Sequence, residues 1–169
     1  MSKLLALDQS SRITGWAIFE NNKLLKYGKF NAETVGENIG DRLHYIRQEI
    51  TTLIKENNIT DVILEDIQMQ GNVINNVQTF KILAEVFGVI SELLVDLKIP
   101  HSAVLASSWK SALGIRGRAR AEQKRNAQAW VAQTYSVKAT QDECDAICIG
   151  SHRATNPTSS TIEGFDWAE

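Results

Sequence analysis

Four carboxylates carry the chemistry that this chain can be expected to perform: Asp8, Glu65, Asp142 and Asp145. Asp8 follows the apolar run Leu4–Leu7, and Glu65 follows Val62-Ile63-Leu64, so each ends a stretch that reads as a buried strand. Asp142 and Asp145 are three apart in a segment of helical period and share one face. Carboxylates gathered without a partner repel and disturb each other's ionisation. A divalent cation resolves that conflict. Oxygen donors, with only three histidines in the chain, point to Mg²⁺ or Mn²⁺ rather than zinc. Two such ions ~3.5–4 Å apart can activate a water and stabilise the leaving oxygen in phosphodiester cleavage. Each acid taken singly has a plainer reading. An Asp after a strand is commonly a turn or capping residue, and an Asp pair opening a helix compensates its dipole. Two strand ends, one helix face and a nearby basic segment in one chain favour the site.

That basic segment holds Lys110, Arg116, Arg118, Arg120, Lys124 and Arg125 against Glu122 alone. It carries a net +5 in a chain whose total is −2, so the remainder carries −7. Such asymmetry suggests a local anionic partner, with phosphate contacts that release counterions. A solvated helix face is the alternative. Gly114 and Gly117 make the stretch Gly114–Arg120 read as a flexible loop beside a helix N-terminus, a ready phosphate site.

The elements that must position these groups follow from the apolar pattern. Strands are expected over Lys3–Asp8, Thr14–Glu20 and Lys23–Phe30, with Asn21-Asn22 as a turn. Val35, Ile39, Leu43, Ile46, Ile50, Leu53 and Ile54 then recur at helical spacing, and Asn57-Asn58 closes that helix. A fourth strand covers residues 61–66. A long helix is expected from Asn76 to Leu97, a fifth strand from His101 to Ala106, and a short helix capped by Ser107 or Ser108 ends at Leu113. Two more helices are expected over Ala121–Tyr135 and Asp142–His152. The order βββαβαβ with trailing helices implies an α/β fold. Its mixed five-stranded sheet has three antiparallel strands, then parallel ones, with helices on both faces. Strands one and four should be neighbours, and sites form beyond the carboxyl ends of such strands.

With the acids and elements in this order, the sequence resembles the RuvC family of Holliday junction resolvases, within the RNase H-like superfamily. "LALDQSSRITGWAIF" is similar to the family's opening strand-turn-strand, "VILEDI" to the strand bearing its catalytic glutamate, and "QDECDAICIG" to its final helix. The resemblance spans roughly residues 3 to 153, and the size and short tail are similar to phage-encoded members. It implies a crossover junction endodeoxyribonuclease: a homodimer that nicks four-way junctions, forks and three-way junctions and leaves 5′-phosphates. The metal acids would be Asp8, Glu65, Asp142 and Asp145. Lys110 and Lys124 would assist at the scissile phosphate, and Arg116, Arg118, Arg120 and Arg125 would contact the DNA backbone. Two departures stand out. Gln9-Ser10 replace the Pro-Gly common after the first aspartate, which implies a less constrained strand end. Gln68, followed by Met69, replaces an aromatic used to wedge the junction centre. Weaker discrimination among branched shapes and sequences is expected from that change. Another RNase H-like nuclease acting on RNA–DNA hybrids, and a junction-binding protein without catalysis, are the competing readings.

The remaining features bound the class. Length suits one domain, read as residues 1–155, with 156–169 as a polar tail anchored at most by Phe165 and Trp167. No apolar run reaches the ~20 residues that a bilayer needs, and the N-terminal run is too short for a secretory signal. Two cysteines four apart are no disulfide framework, so a reduced, cytoplasmic protein is expected, in a bacterial host if phage-encoded. Cys144, Cys148 and His152 share a helix face that cannot wrap a tetrahedral ion, so the cysteines read as core. Trp16, Trp109 and Trp130 read as packing residues. Met69, Asn72, Asn75 and Asn76 lie where amides could touch DNA or cap a helix. The long helix is apolar almost all round. Val86, Phe87, Ile90 and Leu94 read as more than one sheet can cover, leaving a face for a second copy.

Overall fold

The computed structural model describes residues 2–68 and 73–156. The polar tail, with Phe165 and Trp167, and residues Met69 and Asn72 lie outside them, as does the side chain of Asn75. The strands are β1 (Lys3–Asp8), β2 (Ile13–Glu20), β3 (Lys23–Asn31), β4 (Asp61–Glu65) and β5 (His101–Val104). The helices are α1 (Ile39–Asn57), α2 (Val73–Asp96), α3 (Ala106–Ala112), α4 (Arg120–Tyr135) and α5 (Gln141–Thr155). The sheet runs β3-β2-β1-β4-β5. β1, β2 and β3 pair antiparallel, and β1–β4 and β4–β5 pair parallel. The mixed sheet expected from the sequence is therefore present, with β1 at its centre.

Local chemistry explains most boundaries. Asn21 and Asn22 both take positive φ (51° and 65°), as a two-residue hairpin turn requires. The first helix begins at Ile39 rather than near Val35. Ala32–Val35 is instead a 3-10 turn, Gly36 breaks it at φ 105°, and the Asn38 side chain accepts from Asp41 N–H to start α1. Asn58 ends α1 in the left-handed conformation. The cap before α3 is Leu105, with no side-chain hydrogen bond, so neither Ser107 nor Ser108 caps it. α2 starts at Val73, which puts Asn76 inside the first turn rather than at a cap.

Strand alternation sorts the core into two layers. Leu5, Leu7, Ile18, Val62 and Leu64 face α1 and α2, against Ile46, Ile50, Val86, Ile90, Leu93 and Leu94. Leu4, Ala6, Ala17, Phe19 and Ile63 face the other way, against Cys144, Ile147 and Cys148 of α5, with Trp109, Ala127 and Val131 alongside. Val86, Ile90 and Leu94 have no exposed surface, and Phe87 packs on the same cluster. The expectation of a second chain is corrected for Val86, Ile90 and Leu94, which α1 and the sheet cover, whereas Phe87 stays partly exposed. α5 lies unusually close to β2. A Cβ on Gly150 would stand 2.1 Å from the Phe19 ring, and one on Gly15 would stand 1.9 Å from the Asp142 carbonyl oxygen.

Candidate active site

Alternation also aims the acids. Asp8 lies two residues beyond Ala6, and Glu65 two beyond Ile63, so both side chains project to the α5 side of the sheet. The β1–β4 register ends at Leu7 opposite Leu64, which places Asp8 and Glu65 as the next neighbours, on strands ~4.8 Å apart. Asp8 stands opposite Gly15 of β2. The missing side chain there admits the first turn of α5, and with it Asp142. Within that turn Glu143 reaches back to cap the helix, accepting from Thr140 N–H at 2.9 Å. Capping thus falls to Glu143, while Asp142 also lies in the first turn of α5.

Asp8 and Asp145 feel the other acids. Burial holds the Asp8 carboxyl well above the usual carboxylate range, and the charges of Glu65, Asp145 and Asp142 raise it further against Lys124. Burial also raises Glu65, opposed by the Trp109 indole and by Lys110 and Arg120. Asp145 is pushed up to about 6, first by burial and then by Glu65, with Lys110 and Lys124 opposing and Asp142 adding. Three elements of distant sequence thus bring desolvated negative charge to one end of the sheet, with two lysines and one arginine beside it.

A family model for the crossover junction endodeoxyribonuclease RuvC matches residues 4–151. The chain belongs to the RuvC family. No curated protein matches its sequence. Among solved structures it is similar to Thermus thermophilus RuvC (TM-score 0.72, 15% identity, 94% of this chain and 97% of that one). It is also similar to T. thermophilus RuvC in complex with Holliday junction substrate (0.66, 14%, 95% and 98%). A third is the Fowlpox virus resolvase with substrate Holliday junction DNA (0.57, 13%, 92% and 99%). The fold is the RNase H-like fold of RuvC. As a RuvC-family protein the chain is a junction-resolving nuclease, and nucleases of this kind use divalent metal ions.

The donor set of this RuvC-family site fits such an ion. It is all carboxylate oxygen, desolvated and mutually repelling, with no thiolate or imidazole among it. Among the described residues no three His, Cys, Asp or Glu side chains form a metal-holding group in this structure. Cys144 and Cys148 are buried and free, as expected of core residues. His152 is buried beside them on α5.

Of the basic residues, Lys110, Lys124 and Arg120 influence the acids, whereas none of the acid shifts traces to Arg116, Arg118 or Arg125. Those three and Arg120 are exposed. The loop before α4 is not the loose segment its glycines suggested. Gln123 Nε2 donates to Gly117 O (3.0 Å), Arg118 N–H donates to Glu122 Oε2 (2.9 Å), and Asn126 Nδ2 donates to Arg116 O. Its backbone is tied to α4 while its arginines point outward. Gln123 also accepts from Lys110 Nζ at 3.2 Å, linking the loop to the acid site. Gln68 is exposed just past β4.

Two contributors escaped the sequence reading. Trp109 is buried, as expected, but its Nε1–H also donates to Glu65 Oε2 at 3.0 Å, and Lys110 Nζ lies 5.3 Å from its ring centroid. Gln9 is the second. Its Nε2 donates to Glu65 O at 2.5 Å, and Glu65 N–H donates to its Oε1 at 3.2 Å. The strand end that lacks Pro-Gly is therefore pinned by a side chain, which corrects the expectation of a less constrained end. Neither has a periodic signal; Gln9 at least follows a strand-end acid, whereas Trp109 lies 44 residues from the glutamate that it contacts.

The raised carboxyls give a pH dependence with a definite sign. Their folded pKa values exceed the unfolded ones, so the metal-free folded state binds more protons between the two values. Their stabilising contribution is full below the unfolded pKa and is lost as pH rises through about 6, the Asp145 value. Without metal, Tm should fall between about pH 5 and about pH 7.5, and Asp145→Asn should flatten that fall. Added Mg²⁺ should raise Tm more at the upper pH, where the carboxylates are ionised. Differential scanning fluorimetry reads all three. A slope that Asp145→Asn leaves unchanged would remove Asp145 from the coupled set.

Proposed function

We propose that this RuvC-family nuclease resolves Holliday junctions by paired nicking, with Asp8, Glu65, Asp142 and Asp145 as the ligands of Mg²⁺ or Mn²⁺, two ions per site. The observation that carries this reading is the meeting of two strand-end acids with the α5 acids at one sheet end, where Glu65, Asp145 and Asp142 all raise the Asp8 carboxyl. When bound there, divalent ions supply Lewis acidity that activates water and stabilises a leaving phosphodiester oxygen. The chain's own residues do the rest. Lys110 and Lys124 lie close enough to shift the acids, so they can hold a scissile phosphate against a negative site. Trp109 fixes one Glu65 oxygen and leaves the other free to coordinate. Incision would leave a 5′-phosphate.

Arg116, Arg118, Arg120 and Arg125 serve as backbone contacts from a fastened loop, and Gln68 and Met69 meet the branch point. Without an aromatic there, forks and three-way junctions should be cut as well as four-way junctions. Pairing of nicks requires two sites, hence a two-fold homodimer. α2 leaves Val77 (48%) and Val95 (70%) exposed, and that flank is the proposed interface. Sedimentation should give twice the chain mass. Among the described residues no helix is long and apolar enough to cross a membrane. Action in the cytoplasm is part of the proposal.

The test uses end-labelled four-way, three-way and linear DNA and an RNA–DNA hybrid, with Mg²⁺, Mn²⁺ or EDTA. Metal-dependent, symmetric nicks in the four-way junction are expected. Cleavage of the hybrid alone would favour the other RNase H-like activity, and binding with no cleavage in either metal would favour the non-catalytic reading. Replacing Arg116, Arg118 and Arg120 together by Ala should weaken binding to every DNA shape. The slope of log affinity against log salt should flatten by roughly 0.9 for each duplex phosphate that the variant no longer neutralises. An unchanged slope would return these arginines to ordinary solvated surface.

A further inference from the structure

We propose that Gln9 is a positioning residue of the active site: its carboxamide acts as a side-chain rung that locks the ends of β1 and β4 in register and so holds Glu65 beside Asp8. The proposal rests on the reading of Glu65 as a metal ligand. The parallel ladder between the two strands runs from Leu4 opposite Asp61 to Leu7 opposite Leu64. Glu65, the last residue of β4, stands where that ladder stops, with its C=O facing past the end of β1. β1 itself ends at Asp8, and the chain turns through Gln9–Arg12 toward β2.

A primary amide offers the same donor and acceptor as a peptide group. Gln9 uses both on one residue: Nε2 to Glu65 O at 2.5 Å and Oε1 from Glu65 N–H at 3.2 Å. Its side chain is buried, at 7% exposure, so water is a poor substitute. On the far side β4 stays in the sheet, with Asp66 N–H donating to Val104 O at 2.8 Å. The Glu65 carboxylate is held separately by Trp109. Backbone and side chain of one proposed ligand are thus fixed from β1 and from α3. Gln9 acts only through Glu65, because its bonds go to main chain and to no carboxylate. Groups that orient ligands without coordinating typically change metal affinity or activity by ~10–100-fold when removed.

The test compares Gln9→Leu, which keeps the volume and loses both bonds, with Gln9→Asn, which keeps the chemistry and loses the reach. Mn²⁺ binding to the metal-free full-length protein is measured by electron paramagnetic resonance titration, junction binding in EDTA by gel shift, and kcat and KM separately. Both variants should raise the Mn²⁺ Kd by ~10–100-fold and lower kcat, with metal-free junction affinity within about twofold of the original. Glu65→Gln is the control for the underlying reading: if it leaves Mn²⁺ binding untouched, the ligand assignment of Glu65 fails. If Glu65→Gln abolishes binding while both Gln9 variants bind Mn²⁺ normally, the rung fails and the site reading stands. Variants that only lower Tm, or that do not fold at all, would make Gln9 a stability residue and overturn the proposal.

Discussion

Asp8→Asn should lower incision of a four-way junction by at least about a thousandfold, because losing the proposed ligand would forfeit several kcal/mol of Lewis-acid stabilisation. Junction binding should persist or tighten, since one negative charge has been removed where phosphates approach. The fold should not suffer either. Asp8 is buried among Glu65, Asp145 and Asp142 and holds its proton above the usual range, so a neutral amide of the same shape relieves repulsion. Metal-free Tm at neutral pH should therefore hold or rise. Single-turnover cleavage, gel shift and melting of the same preparation separate these outcomes. An Asp8→Asn enzyme that cuts at the original rate in Mg²⁺ would show that Asp8 is no ligand.

Gly15→Ala should cost the enzyme about 10²-fold in rate without touching an ionisable group. The added Cβ would lie 1.9 Å from the Asp142 carbonyl oxygen and 2.4 Å from its carbon, roughly 1.5 Å inside ordinary contact. Both are backbone atoms, so no rotamer change relieves the overlap, and the start of α5 must move off β2. A misplacement of ~1 Å at reacting groups can cost about 10²-fold in rate. Overpacking should also cost about 1–3 kcal/mol of stability. Gly150→Ala supplies the contrast. Its Cβ would meet the Phe19 ring, in the same helix–sheet interface but at a later turn of α5. Gly150→Ala should lose stability and keep most of its kcat per folded molecule, whereas Gly15→Ala should lose kcat even when fully folded. Equal kcat losses in the two would mean that α5 shifts as one body and that Gly15 has no special relation to Asp142.

These two substitutions mark what the sequence by itself determined and what it could not. Asp8 and Glu65 were legible because an apolar strand ending in a carboxylate is a local pattern of period two. Asp142 and Asp145 were legible because a spacing of three on a helix is equally local. The strands and helices that these periodicities mark implied a mixed sheet with strands one and four adjacent, helices on both faces and a core placement for Cys144 and Cys148. The basic run was visible as composition, and the family resemblance set Lys110 and Lys124 apart from its arginines. Folding added Arg120 to the cations whose charge acts on the acids, while none of the acid shifts traces to Arg116, Arg118 or Arg125. Gln9 and Trp109 contact Glu65 across 56 and 44 residues of sequence. Gly15 is required by a helix that begins more than a hundred residues later. Val86, Ile90 and Leu94 of α2 misled for a related reason: an apolar face says that something must cover it, and for these three α1 and the sheet do. Periodicity is written along the chain because backbone geometry repeats along the chain. Side-chain hydrogen bonds and close backbone approaches between distant segments repeat nowhere, so tertiary structure alone decides them.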